Sequence, residues 1–371
     1  MKSDKEIAKS LLESAGITIN GKRSYDIQVH NEAVYSLVLR QGALGLGESY
    51  IDGWWDCKNL DQLFHKMFEA DLEKRIRNDW RIIFRSALNR TLNPGRKSRA
   101  FKIGEKHYDI GNNLYSAMLD KRMAYSCGYW KSAKNLDEAQ TAKLNLICKK
   151  LGLKGGQKIL DIGSGWGSLI GFAAEEYGAY PLGITVSKEQ KKLTDESYKR
   201  LPVVTRLQDY RDINERFDHI VSVGMFEHVG HKNYRTFMKT VHSALKDDGL
   251  FLLHTIGGNT SSRGIDSWLE KHIFPGGMIP SIQQIGKSVE GLFVMEDWHN
   301  FSADYDRTLM AWYKNFENNW DQLKEEYDER FHRMWRYYLL FCAGSFRARK
   351  NQLWQIVLSK DGVPGGYKSI R

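Results

Sequence analysis

Downstream of residue 155, short apolar runs alternate with amphipathic stretches, and this alternation predicts strands separated by helices. Lys158-Ile159-Leu160-Asp161-Ile162 reads as a strand, 168–177 as a helix, 181–185 as a second strand and 188–199 as a second helix. Further strands are predicted at 203–207, 219–223 and 250–254. Strands alternating with helices make a parallel sheet covered on its faces. The first part of the chain is patterned differently. Ile7, Leu11 and Leu12 predict a short amphipathic helix ending near Gly16. The glycine-punctuated stretch 42–50, leading into Asp52-Gly53-Trp54-Trp55, predicts tight turns or close backbone approach beside a tryptophan pair. From 72 to 92, Ile76, Trp80, Ile83 and Ala87 form an apolar helical stripe, widened by Phe84 and Leu88. Lys74, Arg75, Arg77, Arg81, Arg85 and Arg90 fill the other faces, so the stripe suits either an anionic membrane surface or a neighbouring domain. Asn93-Pro94-Gly95 ends it. The expected organisation is a mainly helical accessory domain over 1–95, a linker over 96–105 and a catalytic α/β domain over 106–371.

Composition narrows the class. With 371 residues, 42% of them hydrophobic, and only six prolines, the chain has material for a large core and no low-complexity run. No stretch is long and apolar enough to span a bilayer, and the start lacks a secretory pattern. Cys57, Cys127, Cys148 and Cys342 are scattered without metal-ligand spacing, which favours reduced thiols and no metal site. The net charge of +10 fits anionic partners or a solubilising surface.

The strand at 158–162 ends in Asp161-Ile162-Gly163-Ser164-Gly165-Trp166-Gly167 and opens into a helix. Glycines there let backbone approach a ligand at the carboxyl end of a strand. The G-x-G-x-G spacing, with an acid two residues earlier, resembles motif I of class I S-adenosylmethionine-dependent methyltransferases. The ribose-binding acid usual after the second strand is replaced by Thr185-Val186-Ser187.

A more specific resemblance follows from His107-Tyr108-Asp109-Ile110-Gly111-Asn112, Tyr125-Ser126-Cys127-Gly128-Tyr129-Trp130 and Gly183-Ile184-Thr185-Val186-Ser187-Lys188-Glu189-Gln190. Gly224-Met225-Phe226-Glu227-His228-Val229-Gly230, Leu252-Leu253-His254-Thr255-Ile256-Gly257 and Phe341-Cys342-Ala343-Gly344-Ser345-Phe346-Arg347 extend it. These blocks resemble the cyclopropane fatty acid synthase family, with Ser164 standing where many members carry cysteine. The stretch from Gly42 to Trp55 resembles the extra N-terminal domain of its phospholipid enzymes. The resemblance implies a seven-stranded class I methyltransferase sheet with helices on both faces. It implies methylene transfer from S-adenosylmethionine to the cis double bond of an unsaturated phospholipid acyl chain, closing a cyclopropane ring through a carbocation. A lipid methyltransferase that leaves a methyl-branched or hydroxylated chain stays open as an alternative. An RNA enzyme would suit the charge, but an N-P-P-Y base-stacking motif is absent, so no nucleic-acid partner is expected.

By the same resemblance, Tyr125, Ser126, Gly163, Ser164, Gly165, Thr185, Gln190, Gln208, Asp209 and Tyr210 are expected to hold the cofactor. Gln190 would take the ribose contact of the missing acid. A bicarbonate ion, the expected base, would be held by Cys127, Glu227, His254, the backbone of Ile256 and Tyr305. Glu296 would bond Tyr305 or shape the pocket, and Cys342 is a further catalytic candidate. The aromatic residues between Phe293 and Phe341 would line an acyl pocket, although many of them read equally as helical core. The implied setting is a homodimer associated peripherally with the cytoplasmic face of the membrane.

Overall fold

The computed structural model describes residues 3–72, 74–75 and 111–371. The basic stretch beyond Arg75, the linker at 96–105 and the 107–110 part of the first family block therefore lie outside the described residues. Along the chain run α1 (Asp4–Ser14), β1 (Gln28–Val29), α2 (Ala33–Gln41), α3 (Ala43–Ile51), β2 (Trp55–Asp56), α4 (Leu60–Glu69), α5 (Asn112–Met118) and α6 (Leu136–Leu151). Then follow β3 (Lys158–Ile162), α7 (Ser168–Tyr177), β4 (Tyr180–Thr185), α8 (Lys188–Ser197), β5 (Val204–Leu207), β6 (Phe217–Val223), α9 (Tyr234–Ala244) and β7 (Leu245–Gly258). The rest comprises α10 (Ser267–His272), α11 (Ile282–Val289), β8 (Val294–Asn300), α12 (Ala303–Asn318), α13 (Trp320–Leu323), α14 (Glu329–Arg347) and β9 (Asn351–Ser359).

These elements pack into two compact units. One groups the N-terminal elements with Asp266–Pro275 and Leu309–Lys350. The other holds the described residues of 111–265 with Gly276–Thr308 and Asn351–Arg371. Segments that the sequence reading leaves within 106–371 thus pack with the N-terminal elements, for reasons visible in their side chains. The glycine-punctuated stretch is a helix, α3, rather than a chain of turns, and its glycines serve close approach. A Cβ on Gly47 would come within 2.3 Å of the Trp268 indole, and one on Gly45 within 2.7 Å of the Leu37 carbonyl. Gly344 of α14 likewise meets Phe64 and the His65 amide of α4, where a Cβ would lie at 2.7 and 2.8 Å. Trp55, Trp268, Trp312 and Trp335 are fully buried here, and Trp268 packs on Tyr337 at 4.4 Å between ring centres. Those members of the downstream aromatic run are core of this helical unit. Glu48 pairs with Lys271 and with His272, 2.7 Å away, tying α3 to α10.

The second unit is a seven-stranded sheet in the order β5-β4-β3-β6-β7-β9-β8. The strands β3 to β7 pair in parallel, and β9 inserts antiparallel between β7 and β8. Side chains alternate between two cores, as strand geometry requires. Ile159, Val221 and Leu252 pack with α6 and α7, while Leu160, Ile220 and Phe251 pack with α9 and α11. Helices therefore cover both faces, and the carboxyl ends of the parallel strands form the edge where ligands of such sheets bind.

Candidate active site

The turn from β3 to α7 needs glycine at three positions. Gly163, Gly165 and Gly167 have φ of +86°, +55° and +81°, a region that L side chains rarely adopt. The Gly163 and Ser164 amides donate to the Ile184 carbonyl at 2.9 and 3.0 Å, pinning the loop to β4. A Cβ on Gly163 would strike Met225 and one on Gly167 would strike Thr194, but nothing lies within 4 Å of the Cβ direction of Gly165. The loop is therefore closed behind and open at its middle. Asp161, two residues before Gly163, is buried with Oδ1 lacking a partner among the described residues. Burial lifts its carboxyl to about 7, against the pull of the Lys143 charge.

The other expected cofactor residues gather along the same edge. Ser126 is buried, and its hydroxyl accepts from Lys143 Nζ at 2.9 Å. Tyr125 sits edge-on to Tyr115, with ring centres 5.2 Å apart. The Thr185 hydroxyl donates to Gln190 Oε1 at 2.9 Å, so these two buried groups brace each other at the end of β4. The Gln208 amide donates to the Thr185 carbonyl at 3.0 Å, and its side-chain Nε2 donates to the Asp212 carbonyl at 3.0 Å. The Asp209 carboxylate is engaged by Arg211 at 2.6 and 2.8 Å, and that bond holds its pKa below the usual carboxylate value. Tyr210 packs on Phe237 with ring centres 5.1 Å apart, half-buried. A glycine loop open at Gly165, a buried acid with one oxygen unpartnered among the described residues and an aromatic face at strand carboxyl ends fit an adenosyl amino-acid cofactor.

A second group assembles beside β6 and β7. Glu227 lies in the short 3-10 turn Phe226–His228 that follows β6. Its Oε1 accepts the Ile256 amide at 2.7 Å, whereas Oε2 is buried without a partner among the described residues. Burial raises its carboxyl to about 7 despite the Ile256 bond. His254 stands two residues before Ile256 on β7. Gln355 Nε2 donates to its Nδ1 at 3.2 Å, and burial drives its basicity well below the ordinary histidine value, helped by the charges of Lys143 and Lys150. The neutral ring therefore carries its proton on Nε2, which is also without a partner among the described residues. His254 packs against Phe301 with ring centres 5.9 Å apart, and Phe301 shares a cluster with Cys127, Ile256 and Tyr305. The five residues expected around bicarbonate are thus brought into one neighbourhood. A neutral His donor and a Glu that protonates near neutrality suit an anion. The Ile256 amide, however, is taken by Glu227, so that part of the expected donor set is occupied. Cys127 is fully buried and its thiol donates to the Gly128 carbonyl at 3.2 Å; burial pushes its pKa far up, so it is a neutral thiol.

Two expected residues stand elsewhere. Glu296 Oε1 accepts from the Ser359 hydroxyl at 2.6 Å and the Val363 amide at 2.8 Å. Ser359 pairs with Leu250, at the opposite end of the strand ladder from Ile256, so Glu296 anchors the chain after β9 instead of shaping the pocket. Cys342 belongs to the helical unit on α14, and burial raises its thiol, which keeps it protonated. Two contributors were not singled out from the sequence. Thr308 Oγ1 accepts the Gly128 amide at 3.1 Å and Trp130 Nε1 at 2.9 Å, fixing the chain beside Cys127. Gln140 Nε2 donates to the Ala124 and Ser126 carbonyls at 3.2 and 2.8 Å, fixing it before Cys127. The one signal for these was a polar residue on the apolar side of a helix.

Comparison with known proteins decides what this edge belongs to. The family model described as mycolic acid cyclopropane synthetase matches residues 95–356. This chain belongs to that family. Within the cyclopropane synthetase family, it is 52% identical over 365 residues to a cyclopropane-fatty-acyl-phospholipid synthase of Escherichia coli strain K12, covering 98% of this chain and 95% of the relative. The solved structure of the cyclopropane synthase MmaA2 from Mycobacterium tuberculosis matches with a TM-score of 0.66 and 30% identity, covering 73% of this chain and all of that one. The mycolic acid cyclopropane synthase CmaA1 complexed with SAH and CTAB matches with a TM-score of 0.65 and 31% identity, covering 72% and 99%. The family chain described here is therefore an S-adenosylmethionine-dependent methyltransferase with the class I sheet. Among the described residues, no helix is long and apolar enough to cross a membrane.

Proposed function

We propose that the chain converts cis double bonds in phospholipid acyl chains to cyclopropane rings. The observation that carries this reading is the meeting of a methyltransferase glycine loop with buried Glu227 Oε2 and His254 Nε2, both without a partner among the described residues, on one sheet edge. When bound, S-adenosylmethionine supplies an electrophilic methyl group. The alkene π electrons bond to that methyl as its bond to sulfur breaks, which leaves a cation on the lipid chain. Loss of a proton from the new methyl then closes the ring. Burial of Cys127, Phe301 and His254 keeps water from quenching the cation, and the Phe301 and Tyr305 rings tolerate positive charge.

Bicarbonate in this reading is held by the His254 Nε2 proton and by Tyr305 beside Cys127, with Glu227 orienting it, and it would supply the base. The helical unit and the basic stretch from Lys74 onward serve to dock the enzyme on anionic lipid at the cytoplasmic face, and two copies acting together would add avidity. Neutralising Arg77, Arg81 and Arg85 is then expected to weaken vesicle binding, with the effect shrinking at high salt.

The test mixes the protein with unsaturated phospholipid vesicles and methyl-labelled S-adenosylmethionine, and identifies labelled fatty acids by mass spectrometry. A product one CH₂ heavier that resists hydrogenation is expected. A methyl-branched alkene or a hydroxylated chain would overturn ring closure while keeping the lipid substrate. Absence of label in lipid would overturn the reading as a whole.

A further inference from the structure

Lys143 lies in the middle of α6 with 1% of its surface exposed, and the proposed chemistry gives this buried ammonium no task. Its neighbours are specific. Nζ donates to Ser126 Oγ at 2.9 Å, and the remaining titratable groups facing it are the carboxyls of Asp120 and Asp161 and the neutral Cys127 thiol, while His254 feels its field. One turn earlier on the same helix, Gln140 grips the carbonyls of Ala124 and Ser126. The backbone and the side chain of Ser126 are therefore held from one face of α6 by two buried residues.

The polarity of the Lys143–Ser126 bond is fixed, because an ammonium has protons to give and no lone pair to offer. Ser126 Oγ must accept from it, so the hydroxyl proton must point elsewhere. No acceptor for that proton appears among the described residues. We infer that Lys143 is a positioning residue for the cofactor's amino-acid end, turning the Ser126 hydroxyl into an outward donor for the carboxylate of S-adenosylmethionine. Asp161, whose Oδ1 is buried without a partner among the described residues, offers the complementary acceptor for the ammonium of the same zwitterion. The buried cation also strengthens the outward bond, because a hydroxyl that accepts from a charged donor becomes a better donor itself. The inference rests on Ser126 belonging to the cofactor site, as proposed above, and goes beyond it by giving the unassigned lysine a role.

Calorimetric binding separates the two ideas without requiring turnover. The ligands are S-adenosylhomocysteine, which carries the amino-acid end, and 5′-methylthioadenosine, which lacks it. Lys143→Met is expected to weaken S-adenosylhomocysteine about tenfold or more while changing methylthioadenosine less than about twofold. Ser126→Ala is expected to do the same, and the double variant to lose no more than the larger single loss, because both act through one bond. If Ser126→Ala loses affinity and Lys143→Met does not, the lysine's role is overturned and the Ser126 assignment stands. If neither loses affinity, Ser126 does not bind the cofactor and both ideas fall. Equal weakening of both ligands, or a collapse of the melting transition in Lys143→Met, would assign Lys143 to the fold and overturn the inference.

Discussion

Helix α6 buries two lysines seven residues apart, and they have opposite surroundings. Both are at most 1% exposed, and burial pulls each ammonium down to about 8. Around Lys150 every group is matched. Nζ reaches His299 Nδ1 at 3.1 Å and Asp297 Oδ2 at 3.5 Å. Asp297 also takes two bonds from the Arg371 guanidinium, both 2.6 Å, and the Ser369 hydroxyl at 2.9 Å. The Lys150 carbonyl accepts from the Tyr367 hydroxyl at 2.9 Å. Around Lys143 one hydroxyl is engaged, and the nearby Asp161 and His254, like Glu227 at the same sheet edge, each keep a buried polar atom without a partner among the described residues. A closed cluster spends its polar groups on holding the chain together. An open one keeps them ready for a ligand, because burying unsatisfied polar groups costs about 1–3 kcal/mol each unless something binds them.

The largest expected effect tests the closed side. Asp297→Asn leaves the Lys150 ammonium buried without its counter-charge, and removal of one partner from a buried pair costs about 3–5 kcal/mol. Denaturant unfolding at pH 7 should show that loss, with S-adenosylhomocysteine affinity retained at temperatures where the variant is folded. Lys143→Met in the same assay should cost less, since Lys143 makes one hydrogen bond and no ion pair within 4 Å among the described residues. Equal losses in the two variants would erase the distinction between the clusters. A smaller effect belongs to the open side. His254→Ala removes the Nε2 donor and should lower turnover on vesicles by about 10²-fold, with stability nearly unchanged. A stability loss as large as that of Asp297→Asn would place His254 in the structural class.

The contrast was only half legible in the sequence. The glycine loop, Glu227 and His254 could be read because each ends or follows a short apolar run, and the parallel order brings the ends of such runs to one edge, although β7 itself continues to Gly258. The strand at 158–162 and the helix at 168–177 coincide with β3 and α7. The outer strands β8 and β9 were not located. β8 has Val294 and Met295 exposed at 43% and 38% and charged residues among its apolar ones, which obscures alternation. β9 is buried from Gln352 to Ser359, and a strand covered on both faces shows no period-two signal. The glycines of α3 were read as possible turns because propensity favours that, yet Trp268 and Leu37 decide their role from far along the chain or across a helix pair. Lys143 and Lys150 gave no signal at all. A lysine on a helix normally reads as solvated, and only packing shows which ones are enclosed.

The smallest expected effect concerns the open end's own ionisation. The Glu227 carboxyl titrates near about 7 in the folded chain against an ordinary 4.5, because burial penalises its charge more than the Ile256 bond favours it. A group whose folded value is raised binds its proton more tightly in the native state than in the unfolded one. Its contribution is therefore complete below pH about 4.5 and is lost as pH climbs through 7, a change of about 3 kcal/mol. Glutamine at this position cannot ionise, so wild type should lose stability relative to Glu227→Gln across that window. Unfolding in denaturant at pH 5 and pH 7.5 checks this, the gap between the two proteins shrinking or reversing at the higher pH. A pH-independent gap would mean that the carboxylate is already satisfied, and the open cluster would then be as closed as the one around Lys150. Binding of S-adenosylhomocysteine or of bicarbonate should flatten or shift the difference only if the occupant reaches Glu227 Oε2, which makes the same measurement a probe of which ligand fills that end.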